Sequence, residues 1–220
     1  GAMAAADEEY ALLLVKTALW LRGGCTLLTA DEAVYRWLQR AYAPTGARAF
    51  DRAFLSGIYR SPFQVERRQT LPPERETPAS AAARTEGCRI GIDLGGSDRK
   101  AAAVIDGKTV YTEEVLWQPK SACGLRYHYA HITAALRSAA EHLPRVDAVG
   151  FSTAGVVMAG EIRRSGLFMN VPAAEFDRCG RDILQRAARD VFGAVPCTVC
   201  NDGDVAALAG SIALGRQELL

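Results

Sequence analysis

The sequence has no excess charge of either sign and no long apolar run. Its 220 residues hold 26 Lys and Arg against 25 Asp and Glu, and neither half is a charged arm. A surface that binds nucleic acid needs basic residues clustered on one part of the chain, so the composition does not favour that partner. The most apolar run, residues 11–21, is about half the ~20 residues that a membrane span needs and contains Lys16. We therefore expect no membrane-spanning segment.

The sequence also lacks the cysteine spacing of a disulfide-rich domain or a zinc site. Six cysteines are scattered along the chain, which is typical of a reducing compartment, so we expect a cytoplasmic protein. The single CxxC pair, Cys197 and Cys200, has no second pair at zinc spacing. His128 and His131 lie three residues apart, but the sequence offers no third metal ligand for them.

Three stretches of different character divide the chain. Residues 1–60 are predicted to form a helical extension, in which residues 1–3 are an expression scar and Thr29 to Glu32 has the spacing of a capping box. Residues 61–87 are rich in Pro, Arg, Glu, Ser and Ala without periodicity, which predicts a linker. From residue 88 to 220, short apolar strands alternate with helical patterns.

This last stretch predicts an α/β fold. Strands are expected at 89–94, 101–105, 109–116, 147–151 and 197–200, and helices at 127–143, 181–192 and 204–214. Asp106-Gly107 is a strong hairpin turn because both positions can take positive φ. We therefore predict a mixed sheet. Its first three strands form an antiparallel meander, and further strands, which follow crossover helices, add to it in parallel.

The first candidate site is Asp93-Leu94-Gly95-Gly96-Ser97, at the end of the first predicted strand. A carboxylate there can hold Mg²⁺ directly or through water, and the two glycines let a phosphate approach bare backbone N–H groups. The alternative is a tight turn beside a solvated aspartate. The segment is neither a Walker loop nor a dinucleotide fingerprint, because it runs into a second antiparallel strand.

Two further segments carry polar groups beside predicted strands. At Asn201-Asp202 a carboxylate can accept a proton from a substrate hydroxyl, and the amide can orient that hydroxyl. The alternative is that this segment, or Asp204, only caps the following helix. Small residues at 152–157, among them Gly155, allow close approach of a ligand, and Asn170 can hydrogen-bond a polyol.

Taken together, the three segments resemble the ROK family of sugar kinases and sugar-responsive repressors, within the actin-like ATPase superfamily. The matching pieces are residues 90–97, residues 150–155 with Asn170, and residues 199–202 followed by 206–210. The resemblance covers about residues 88 to 215 and leaves the first 87 residues unmatched. Ser97 stands where family members usually have threonine.

The resemblance implies an actin-like (ribonuclease H-like) lobe of an ATP- and Mg²⁺-dependent kinase that acts on a hexose or an amino sugar. Asp93 would lie beside Mg²⁺, through water, and Asp202 would be the general base for the sugar hydroxyl. The residues that would bind without reacting are Gly95, Gly96 and Ser97 for the phosphates, and Gly155, Asn170 and Asn201 for the sugar.

The resemblance also implies a second lobe, with another phosphate loop and the adenosine site, which we expect the 220 residues not to include. We therefore expect a first lobe that is inactive alone, and the sequence leaves a homo-oligomer open. Two alternatives remain: a sugar-sensing regulator that does not phosphorylate its ligand, and a degenerate actin-like scaffold. A helix-turn-helix in residues 7–59 is not favoured, because phosphate contacts demand more Lys and Arg than this nearly neutral segment holds.

Overall fold

The computed structural model describes residues 2–74 and 85–214. The chain forms two compact units, Gly1–Thr77 and Pro78–Leu220. Gly1 of the expected expression scar, the central part of the predicted linker (75–84) and residues 215–220 lie outside the described residues. The division into 1–60, 61–87 and 88–220 stays a prediction.

The first unit combines three helices with a two-stranded parallel sheet. Its elements are α1 (Ala2–Arg22), β1 (Thr26–Thr29), α2 (Glu32–Ala41), α3 (Ala49–Tyr59) and β2 (Gln64–Arg67). Their buried cluster consists of Leu19, Leu38, Ala41, Tyr42, Leu55 and Phe63. The sequence analysis predicts the helices but neither strand, because a four-residue strand is too short for a clear two-residue period.

The N-terminus of α2 corrects the predicted capping box. Asp31, not Thr29, is the N-cap, and its carboxylate accepts the N–H of Val34 at 2.9 Å. The Thr29 hydroxyl accepts the N–H of Asp31 instead, at 3.2 Å. The predicted reciprocal pair does not form because α2 begins two residues later than a Thr29 cap requires. Glu32 forms ion pairs with Arg36 and Arg67.

The second unit contains a mixed five-stranded sheet. Its strands are β3 (Cys88–Leu94), β4 (Asp98–Ile105), β5 (Lys108–Leu116), β6 (Ala148–Thr153) and β9 (Cys197–Asn201), in the order β5-β4-β3-β6-β9. β3, β4 and β5 form an antiparallel meander, and β3, β6 and β9 are parallel. The predicted α/β architecture is confirmed. Asp106 and Gly107 have φ values of 48° and 78°, as their hairpin turn requires.

The core of this unit lies between one face of the sheet and two helices. α4 (Leu125–Ala140) and α6 (Ile183–Phe192) match the predicted helices, with ends shifted by up to three residues. Burial alternates along β3, so that Ile90, Ile92 and Leu94 pack into a core that also holds Ile132 of α4 and Leu184 of α6. Within the described ranges, no helix has both the length and the apolarity to cross a membrane.

The remaining elements flank the parallel strands. β7 (Val156–Met158) and β8 (Glu161–Arg164) form an antiparallel hairpin after β6, and the short helix α5 (Ala173–Cys179) precedes α6. α7 (Asp202–Leu214) begins directly after β9. In the parallel strands, Leu94 pairs with Thr153, and Thr153 pairs with Asn201. The loops after β3, β6 and β9 therefore leave the same edge of the sheet, where open α/β sheets bind their ligands.

Candidate functional site

Two carboxylates occupy this edge of the sheet. Asp93 lies near the end of β3, and Asp202 opens α7 after β9. One strand, β6, separates them, so two strand spacings place β3 and β9 about 10 Å apart. Asp93 lines a groove of about 630 Å³ together with Lys100 and Ser152. The pKa of Lys100 is raised, mainly by its hydrogen bond to Asp98 and less by the charges of Glu114 and Asp93.

The loop of residues 95–97, here called the glycine loop, is held from one side and open on the other. The N–H of Gly95 donates to the carbonyl of Asp98 at 2.9 Å, which closes the hairpin to β4. The Trp117 indole Nε1 donates to the Gly95 carbonyl at 2.9 Å, and the Trp117 backbone N–H donates to the Ser97 carbonyl at 3.0 Å. Among the described residues, the N–H groups of Gly96 and Ser97 have no hydrogen-bond partner. Such free N–H groups can bind an anion.

A lysine from beyond β5 lies against the glycine loop. Lys120 belongs to a short 3-10 turn, Pro119–Ser121, and its Nζ is 3.0 Å from the position that a Cβ on Gly96 would occupy. A cavity of about 770 Å³ lies there, lined among others by Gly96, Ser97 and Lys120. The Asn170 amide Nδ2 donates to the Lys120 carbonyl at 2.7 Å. The structure therefore brings Asn170 to the glycine-loop side of the edge.

The other side of the edge is organised by Asn201. Its Nδ2 donates to the Gly155 carbonyl at 2.7 Å, and its Oδ1 accepts the N–H groups of Gly203 at 2.7 Å and Asp204 at 3.4 Å. Asn201 thus caps α7, which is the alternative role that the sequence left open. The exposed Asp202 carboxylate accepts only the N–H of Gly203, at 2.9 Å, among the described residues.

The backbone conformation of Gly155 and its contacts within the chain require a glycine. Its φ is +117°, and a Cβ at this position would lie 2.2 Å from the Arg164 carbonyl oxygen and 2.8 Å from the Ser165 Cα. The backbone that leaves β8 therefore passes directly over Gly155. The expected role of Gly155 in shaping a sugar pocket stays a prediction, and the close backbone passage is sufficient to require glycine.

The predicted site residues thus fall into two groups along one edge. The group at the end of β3 is Asp93, Gly95, Gly96, Ser97 and, through Lys120, Asn170; the group at the end of β9 is Gly155, Asn201 and Asp202. Two residues beside the first group were not predicted from the sequence: Trp117, which supports the glycine loop, and Lys120, which lies against it. The meander itself is the signal that could have found them, because β5 runs antiparallel to β4 and its end returns to the glycine loop.

Burial dominates the surroundings of the two CxxC cysteines and of the two histidines of α4. Burial raises the pKa of Cys197, and burial followed by the charge of Asp204 raises that of Cys200, so neither is an activated thiolate. His128 is fully buried, with its ring nitrogens 3.2 Å from the Gly124 carbonyl and 2.8 Å from that of Leu167. Burial, with smaller effects from the charges of Arg99 and His128, lowers the pKa of His131.

Comparison with known proteins gives structural likenesses only. No protein-family model matches the sequence, and no curated protein matches it. The solved structures similar to it include sugar kinases and a regulator of the ROK family, the family that the three sequence segments resemble.

Three of these structures give the scale of the likeness. An inorganic polyphosphate/ATP-glucomannokinase from an Arthrobacter species is 20% identical, with a TM-score of 0.44, over 57% of this chain and 48% of that one. A ROK hexokinase from Thermus thermophilus is 24% identical, with a TM-score of 0.43, over 56% and 38%. A ROK-family transcriptional regulator, a homologue of the E. coli MLC protein, is 16% identical, with a TM-score of 0.44, over 57% and 30%.

The chain therefore spans less than half the length of each of these proteins. At such identities and TM-scores, the likeness transfers neither substrate nor activity to this chain.

Proposed function

We propose that this chain carries the phosphate- and hydroxyl-binding edge of an ATP- and Mg²⁺-dependent kinase whose substrate is a sugar, either a hexose or an amino sugar. One observation carries the proposal: the carboxyl edge of a single sheet holds both groups that phosphoryl transfer needs. The glycine loop after β3 offers two N–H groups without partners, and Asp202 after β9 offers a carboxylate without a cationic partner among the described residues. An anion at the glycine loop and a hydroxyl at Asp202 would both lie along this edge, two strand spacings apart.

The residues present fit Mg²⁺ as a phosphate-bound ion. The described part of the chain contains no group of three His, Cys, Asp or Glu side chains that could hold a metal, which argues against an all-protein cage. Mg²⁺ commonly keeps several waters and binds through one or two carboxylates plus phosphates, so Asp93 could hold it through water beside a triphosphate. When bound, Mg²⁺ would offset the negative charge on the phosphate oxygens.

Asp202 would take the proton from the attacking sugar hydroxyl. Its carboxylate makes one hydrogen bond within the described chain, to the Gly203 N–H, so lone pairs remain for a substrate hydroxyl within hydrogen-bond reach. Asn201 fixes the start of α7, and with it the backbone of Asp202. The Gly96 and Ser97 N–H groups would hold phosphoryl oxygens as charge develops on them.

The test is transfer of phosphoryl groups from Mg-ATP across a panel of hexoses and N-acetyl amino sugars, with the natural full-length gene product. Asp202→Asn is expected to lower kcat by about 10²- to 10⁴-fold, the range for losing a general base. The dissociation constant of the sugar should change little. Asp204→Asn is the matched control, because Asp204 lies in the same first turn of α7, and its kcat should equal that of the wild type.

Each other outcome contradicts a different part of the proposal. Sugar-dependent transfer that Asp202→Asn does not reduce would contradict the assignment of the base. Sugar binding without transfer, in wild type and variant alike, would contradict the kinase and support the sugar-sensing regulator. A protein that binds neither sugar nor nucleotide would support the scaffold.

A further inference from the structure

Lys120 supplies a cationic group to the glycine loop from outside the sequence segments that suggested a phosphate site. Its Nζ and Cε lie 3.0 and 3.1 Å from the position of a Cβ on Gly96. We propose that Lys120 is a phosphate-binding residue, whose ammonium group contacts oxygens of a phosphate chain bound at the N–H groups of Gly96 and Ser97. The identity of that phosphate chain as ATP rests on the proposed function.

The backbone that carries Lys120 is fixed on both sides. Before it, the Gln118 N–H donates to the Tyr127 hydroxyl at 2.8 Å. After it, the Ala122 N–H donates to the Pro119 carbonyl at 3.2 Å, and Pro119 itself is buried. Because the turn is held in this way, the Cα of Lys120 keeps its position beside the loop and only the side chain needs to be ordered by a ligand.

The local charges leave the Lys120 ammonium without a counterion. Within the part of the chain that the structure describes, its Nζ has neither a hydrogen bond nor an ion pair. Asp98, the acidic residue of the same hairpin, already accepts the Lys100 ammonium at 2.8 Å and the Ser97 hydroxyl at 3.0 Å. A cation and two free N–H groups therefore line one cavity, and charge-assisted hydrogen bonds to phosphate are strong contacts.

Asn170 is the positioning residue of Lys120. Its Nδ2 donates to the Lys120 carbonyl at 2.7 Å across 50 residues of sequence. Its Oδ1 has no hydrogen-bond partner among the described residues, so this oxygen stays free for the sugar hydroxyl that the sequence predicts for Asn170. Asn170, which is expected to bind the sugar, is thereby hydrogen-bonded to Lys120, which is proposed to bind the phosphate.

The test is calorimetric binding of inorganic tripolyphosphate, without Mg²⁺, to the 220-residue protein. Lys120→Gln is expected to raise the dissociation constant about tenfold, the size of one charge-assisted hydrogen bond, and Lys120→Arg should keep most of the affinity. Lys108→Gln is the control, because the exposed Lys108 lies at the far end of the β4–β5 hairpin, and it should bind as the wild type does.

Asn170→Ala should weaken tripolyphosphate binding in the wild-type background and leave it unchanged in the Lys120→Gln background, since the amide acts only through Lys120. A merely structural effect would lower affinity equally in both backgrounds. The proposal is overturned by a wild-type protein that binds no tripolyphosphate, by equal losses in Lys120→Gln and Lys108→Gln, or by no loss in Lys120→Gln.

The kinase assay described above separates this proposal from the proposed function. Tripolyphosphate binding that needs Lys120, in a protein without sugar-dependent transfer, would leave the phosphate site standing and overturn the kinase. Sugar-dependent transfer with an unchanged KM for ATP in Lys120→Gln would support the kinase and overturn the assignment of Lys120 to the phosphate site.

Discussion

The two ends of the candidate site are built in opposite ways. At the β9 end, the predicted binding residues are engaged with the chain itself: Asn201 uses both amide atoms on backbone groups, and Gly155 accommodates the backbone that leaves β8. At the β3 end, the N–H groups of Gly96 and Ser97 have no partner among the described residues, whereas the Gly95 N–H donates to the Asp98 carbonyl. The loop is supported by Trp117 from outside the motif.

This difference separates two ways in which a residue serves a site. A residue such as Asn201 builds the site, since its bonds place the neighbouring Asp202. The N–H groups of Gly96 and Ser97 can serve it by direct contact with a ligand, because nothing in the described chain uses them. Residue type within a motif does not distinguish the two cases, whereas the hydrogen-bond partners do. The comparison is open to test by substitutions at each end.

The largest expected effect tests whether Gly155 is needed by the fold. Gly155→Ala should destabilise the protein by about 3 kcal/mol, because the new Cβ meets the Arg164 carbonyl oxygen and φ is +117°. The measurement is urea unfolding followed by circular dichroism. Gly150→Ala is the matched control on the preceding strand, since a Cβ there meets nothing within 4 Å, and it should leave stability unchanged or slightly higher.

Equal stability of the Gly155→Ala and Gly150→Ala proteins would contradict the proposed difference between the β9 and β3 ends. It would mean that the β8 backbone moves aside at little cost. Gly155 would then be available to shape a ligand pocket, as the sequence analysis expects, and would not be a structural requirement of the β9 end.

A smaller effect is expected at the β3 end from the tryptophan that supports the glycine loop. Trp117→Phe keeps a ring in the buried position but removes the donor to the Gly95 carbonyl. Leaving that carbonyl without its partner should cost about 2 kcal/mol, and tripolyphosphate affinity should fall with it as the loop loosens. Trp37→Phe is the control, because Trp37 makes no hydrogen bond to any described residue and belongs to the other unit.

Hydrogen exchange of the Trp117 backbone N–H, which donates to the Ser97 carbonyl, reports this loosening directly. Faster exchange with unchanged tripolyphosphate affinity would show that the loop does not need its support to bind an anion. The bonds from Trp117 would then be part of the geometry of the β3 end without contributing to its binding of an anion.

The meeting of the three loops was predictable from the sequence because it follows from short-range patterns. The apolar pattern of residues 89–94 predicts β3, and Asp106-Gly107 predicts the hairpin between β4 and β5. Strands joined through helices predict the parallel order that brings the loops to one edge. The predicted meander brings the end of β5 back to the glycine loop, but it does not specify which side chains beyond β5 contact that loop. The contacts of Trp117 and Lys120 with residues 20 or more positions earlier were therefore not predicted.

The smallest effect distinguishes the two bonds of Asn201. Asn201→Ala removes both the helix cap and the donor to Gly155, and should destabilise the protein by about 1 kcal/mol. Asn201→Asp keeps an equally good cap but turns a carboxylate oxygen towards the Gly155 carbonyl. If the Gly155 bond matters, Asn201→Asp should lose nearly as much stability as Asn201→Ala, again by urea unfolding.

Hydrogen exchange locates the loss, because the cap protects the N–H groups of Gly203 and Asp204. In Asn201→Ala these amides should exchange faster, and in Asn201→Asp they should keep their protection. An Asn201→Asp protein as stable as the wild type would show that the cap alone holds Asp202 in place. In that case the hydrogen bond from Asn201 to Gly155 is not needed for stability. The close backbone contact at Gly155 would then be the remaining difference between the β9 end and the β3 end.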